Sequence, residues 1–201
     1  MIPENDQDDL RDRLNLIESM IAEGRRSTES WGWTFVLWGV AYFIAIAWST
    51  WGGNKTLAWP ATMIIAMIVT VVAVSRQAAK RPDTTLGRAV GSLWASLGIT
   101  MFLLFLALST SGRLADPSFF VALASGFLGM ANGASAMMLR WKVQFACAVV
   151  WWATAAAACF LSATQSIVTF LVALFLCQIV FGVYGMIAEA REKKQRGPLH
   201  A

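Results

Sequence analysis

The chemistry open to this chain is set by where its few reactive side chains fall. The 201 residues hold one histidine, three cysteines and twelve carboxylates. The histidine, His200, lies on the basic tail. A single histidine removes His-pair haem ligation, His-based zinc sites and a Ser–His or Cys–His nucleophile pair. Cys147, Cys159 and Cys177 form no CxxC motif, and Cys147 and Cys159 are twelve residues apart on one expected helix, too far to bond to each other. All three read as small apolar packers. Eight acids occupy residues 4–29, and the others are Asp83, Asp116, Glu189 and Glu192. Proton or cation coupling usually keeps an ionisable group at depth in the membrane, and none of these acids lies inside an apolar run. The usual acid, base and nucleophile sets cannot be assembled, so the chain reads as non-catalytic, with no cofactor and no metal.

Two amides are the polar groups that do lie deep in apolar sequence. Asn132 sits in "GMANGAS", residues 129–135, and Gln178 sits in the last apolar run. Counted from one membrane side they fall at about 20 Å depth, on a rise of 1.5 Å per residue. One expectation is a hydrogen bond between Asn132 and Gln178 across two helices, worth roughly 0.5–2 kcal/mol. The other is a small polar pocket lined by the two amides.

The elements that carry them are membrane helices. Hydrophobic residues make up 57% of the chain and charged residues 14%, well below the quarter usual in a soluble domain. Only ten charged residues occur between Trp31 and Ala188, clustered in short breaks. The runs between the breaks are long enough to cross a hydrocarbon core of about 30 Å. They predict six spans at 33–51, 57–75, 89–110, 118–139, 143–163 and 165–188. The fold class expected is an all-α polytopic bundle (31–188), preceded by a cytoplasmic segment (1–30) and followed by a basic tail (189–201). Fourteen of the sixteen Lys and Arg residues fall on one side of these spans. The positive-inside rule then places both termini in the cytoplasm, in a plasma (inner) membrane. The basic balance is thus a topology signal rather than a nucleic-acid footprint.

The fourth span has one face of small residues. At about 100° per residue, Ala122, Ser125, Gly126, Gly129, Asn132, Gly133 and Ala136 all fall within about 60° of Gly129. Small residues let helix backbones approach closely in lipid. The third span carries a similar face: Gly87, Gly91, Ala95 and Gly98. These two faces are expected to pack against each other, with Ser125, Gly129, Gly133 and Ala136 forming the seam on the fourth. Gln178, Gly182 and Gly185 share a face of the last span.

Leu10, Leu14, Ile17 and Ile21 recur at helical spacing and form one apolar stripe on an otherwise acidic segment. A helix lying on anionic lipid is normally Lys/Arg-rich on its polar face, so this stripe points to a protein contact. It either folds back on the basic loop at Arg76–Arg88 or pairs with another subunit or partner.

Two functional readings compete. One is a non-catalytic regulatory, accessory or scaffold module in the bilayer, acting through its N-terminal helix on a protein partner or, as a homo-oligomer, on a second copy. The other is a substrate-binding or permease component for a small neutral or amphipathic solute. The size, six short-looped spans and "AYFIA" at Ala41–Ala45 resemble the substrate-binding subunits of energy-coupling-factor transporters, whose first helix docks through AxxxA. That resemblance implies a transport role, although the outer loops here are shorter than that family's. "LIESMIAEGRRST" followed by "WGWTFVLWGVAY" is similar to small bacterial inner-membrane proteins that begin with a charged helix, a likeness that implies no activity.

Overall fold

A computed structural model describes residue 11 and residues 13–19, 32–52, 55–78, 85–111 and 116–196. Among them there are helices and turns and no strand. A short helical stretch covers 13–19. It is followed by α1 (Gly32–Trp51), α2 (Lys55–Ala78), α3 (Thr85–Thr110), α4 (Pro117–Leu139), α5 (Lys142–Ala158), α6 (Ala163–Leu174) and α7 (Phe181–Arg196). A π-helical segment, Phe175–Val180, joins α6 to α7, so the last rod runs unbroken.

Five of these rods are long and apolar enough to cross a membrane: α1, α2 from Leu57, α3, α4 and the rod Ala163–Arg191. α5 is shorter than the span expected at 143–163. Its 17 residues give about 26 Å at 1.5 Å per residue. It stops at Ala158 because the chain turns through Cys159–Leu161 and starts again at Ser162. There the Ser162 N–H donates to Oε1 of Gln165 at 3.1 Å, which closes the next helix start.

Local signals set the ends of α4. Asp116 Oδ1 accepts from the Ser118 N–H at 2.8 Å, and Pro117 takes the first helical position. At the other end Arg140 adopts the left-handed region with φ 49°. The Trp141 N–H then reaches the Ala136 carbonyl at 2.9 Å, a six-to-one helix closure. Two residues therefore reverse the chain, and α4 and α5 form the most extensive helix pair.

The remaining rods assemble around this hairpin. α6 packs on α4 and α5, while α1 packs on α2, the π segment and α7. α3 lies at the rim against α4. The outward face of α2 exposes Ile64, Ile65, Ile68, Val69, Val71 and Val72, the apolar surface that a bilayer would cover. The core has an aromatic layer towards each end. Trp59, Phe105, Phe120 and Phe170 cluster at one, with Phe105 and Phe120 centroids 4.8 Å apart. Phe35, Trp94, Trp141 and Phe181 cluster at the other, with Trp141 and Phe181 at 5.0 Å.

The small face of α4 is a seam, but its partner is α5 and not α3. A methyl built at Gly133 would lie 2.7 Å from Cζ2 and Cη2 of Trp152, and one at Gly129 would meet the same indole. Ser125 and Ala136 are buried beside them. The two-residue turn explains the choice, because it holds α5 against α4 along most of its length. On α3, Ala95 is exposed and Gly87 and Gly91 are only partly covered, while a methyl at Gly98 would meet Met67 of α2 at 3.6 Å. α3 touches α4 instead through large side chains: Trp94 Nε1 donates to Ser135 Oγ at 3.1 Å, and Phe105 meets Phe120.

Candidate functional site

The buried polar groups of the core are spread along the bundle. Ser118 on α4 and Ser166 on α6 hydrogen-bond at 3.3 Å near one end. Fourteen residues on is Asn132, and twelve residues on is Gln178. At 1.5 Å per residue these are about 21 and about 18 Å along their rods, so the two amides reach similar depth. Gln144, near the start of α5, is a third buried amide.

The expected Asn132–Gln178 bond is absent. Asn132 Nδ2 donates to the Leu128 carbonyl of its own helix at 2.8 Å. Asn132 Oδ1 and Gln178 Oε1 are both buried without a partner. The reason lies in the π segment, which packs chiefly on α1 and α5. A methyl at Gly39 of α1 would come 2.9 Å from Cβ of Gln178, so the Gln178 stem lies against α1. Gly182 and Gly185 lie along the same partner, with a methyl at Gly32 only 2.6 Å from the Gly182 carbonyl. The face shared by Gln178, Gly182 and Gly185 is real, and it belongs to α1.

Nor do the amides line an open pocket. Asn132 and Gln144 have no accessible surface, and Gln178 has 2%. Both side-chain atoms of Gln144 are buried without a hydrogen bond, as is Ser125 Oγ. Leaving a buried amide unpaired costs about 1–3 kcal/mol per group. Gln144 did not emerge from the sequence because Lys142 beside it marks a membrane boundary, where a Gln is ordinary. The signal available was its own neighbourhood, "VQFACAVV", which is apolar on both sides.

The cysteines also differ from the sequence reading. Cys159 is exposed at the turn after α5. Cys147 and Cys177, thirty residues apart, are buried neighbours on α5 and the π segment. Cys177 Sγ donates to the Cys147 carbonyl at 3.7 Å.

In the N-terminal stretch, Leu14 and Ile17 expose 57% and 52% of their surface, and Leu16 exposes 61%. The described half of the stripe is thus uncovered by the described residues. Leu10 and Ile21, and most of the Arg76–Arg88 loop, lie outside the described residues.

No protein-family model matches the chain, and neither the curated proteins nor the solved structures contain a match to it.

Proposed function

We propose that this chain is a non-catalytic integral membrane module that recruits a protein partner through its N-terminal helix. The observation carrying the reading is the exposure of Leu14 and Ile17 on a helical segment outside the bundle. Apolar side chains at helical spacing that the described residues leave open are what a groove-binding helix offers. The acidic surroundings of the stripe, with seven acids against two arginines in residues 1–24, favour a partner with a basic rim. The closed core supports the same reading: the amides that a transport component would offer a solute have almost no accessible surface.

In this proposal α5 crosses the membrane as well, giving six spans and both termini on one side. The fourteen Lys and Arg residues on that side make it the cytoplasmic face of the inner membrane. A 17-residue helix suits a short crossing, with local thinning of the bilayer covering the shortfall.

The test uses the full chain in native membranes with a photo-cross-linking amino acid at position 14. The expected result is one cross-linked product of defined mass, lost on Ile17→Asp while the bundle remains intact by size-exclusion chromatography. The reading fails if position 14 yields no product and a small solute co-purifies in a manner abolished by Asn132→Ala or Gln178→Ala. That outcome belongs to a transport component.

A further inference from the structure

We infer that Cys147 and Cys177 form a two-sulfur site for a soft divalent d10 cation, taking mercury(II) as a neutral bis-thiolate between α5 and the π segment. Two observations meet here. The two thiols are buried neighbours on different helices, with Cys177 Sγ only 3.7 Å from the Cys147 carbonyl. Cys177 lies in the π segment, and π turns inside longer helices often mark functional positions.

The surroundings select the ion. Thiolates are soft donors and prefer soft metals. Among the described residues no group of three or more His, Cys, Asp or Glu could hold a metal, so sulfur supplies two ligands and no more. Zinc and its relatives usually demand four ligands, whereas mercury(II) is satisfied by two sulfurs in a line. With metal–sulfur bonds of roughly 2.3 Å, as for zinc, a linear pair needs sulfurs about 4–5 Å apart. Neighbouring thiols on two packed helices can reach that separation by small rotamer changes. Among the described residues the buried polar side chains are all Ser, Thr, Asn or Gln, which gives the site no buried counter-charge there. A divalent cation with two thiolates is neutral, whereas a monovalent one would leave an uncompensated buried anion, which is costly. Binding breaks two S–H bonds, forms two metal–sulfur bonds and releases two protons to water. No electron is transferred.

The experiment uses the full-length chain in mild detergent, carrying Cys159→Ser to remove the exposed thiol and reduced with a phosphine. Mercury(II) chloride is titrated in, and native mass spectrometry and the near-ultraviolet thiolate-to-metal absorbance are read. One mercury per chain, with the mass of two protons lost and no chloride retained, is the expected result. Cys147→Ala and Cys177→Ala should each abolish that species. A variant-free measurement covers the case in which either alanine fails to fold. Mercury loading of the otherwise unmodified chain should protect both Cys147 and Cys177 from alkylation after unfolding. Two mercury ions per chain, each keeping a chloride, would overturn the inference, as would alkylation of either cysteine after loading.

Discussion

Adding one methyl group at chosen glycines tests whether backbone contact holds the bundle together. In lipid the apolar driving force between helices is absent, so close van der Waals approach carries much of the association. At Gly133 the new carbon would lie 2.7 Å from the Trp152 ring. Ordinary carbon contacts are about 3.5–4.0 Å, so the indole must retreat by about 1 Å. Overpacking of that kind costs about 1–3 kcal/mol, and the better helix propensity of alanine returns about 1. The net loss expected for Gly133→Ala is therefore about 1 kcal/mol. At Gly182 the obstacles are the Gly32 carbonyl at 2.7 Å and the Val36 backbone nitrogen at 3.0 Å. A backbone cannot swing aside as a side chain does, so Gly182→Ala should lose about 2 kcal/mol or more. At Gly126 nothing lies within 4 Å of the added carbon, leaving only a propensity gain of up to about 1 kcal/mol. Reversible unfolding in mixed micelles, followed by circular dichroism, should rank Gly126→Ala above wild type, then Gly133→Ala, then Gly182→Ala. Trp152→Ala should rescue Gly133→Ala specifically, and a double-mutant cycle measures that coupling. Equal stabilities for the Gly126 and Gly182 variants, or no rescue by Trp152→Ala, would refute the account.

Two further outcomes rest on the same kind of contact. Gln144→Met replaces a buried amide with no hydrogen bond by an apolar chain of similar length, and should raise unfolding free energy by about 1–2 kcal/mol; a loss of that size would mean that the amide has a partner in solution. At Arg140, held at φ 49°, glycine should be more stable than alanine by about 1 kcal/mol in the same micelle assay, since only alanine retains the left-handed strain.

Depth was legible in the sequence, and direction only in part. The long apolar helices came from counting apolar residues against a known thickness, and four of them match expected spans closely. The depth of Asn132 and Gln178 came from the same count. Direction around a helix was legible only in part: Gly129 and Gly133 of the α4 face meet Trp152 while Gly126 of the same face meets nothing within 4 Å, and Gln178, Gly182 and Gly185 lie along α1. The identity of the facing helix was not legible, because a small face accepts any neighbour that presents a complementary surface. The α4 face took α5, whose Trp152 fills the groove over Gly129 and Gly133. The pairing of Cys147 with Cys177 was hidden for the same reason, since it depends on two helices meeting thirty residues apart. The early end of α5 was hidden differently, because "CFLS" after Ala158 is apolar enough to continue a helix, and it is the start of α6 that interrupts it.

The missed helix partner had a trace in the sequence. Gly32 and Gly39 are seven residues apart, close to two full turns, and so lie on one face of α1. That spacing is the complement of Gly182 and of the Gln178 stem on the last rod, where α1 and α7 approach backbone to backbone. A backbone-to-backbone crossing needs small residues on both helices, and that condition joins α1 to α7. One rod serves both sides. Neighbouring residues of a helix point about 100° apart, so Cys177 faces α5 while Gln178, and Gly182 four residues on, meet α1.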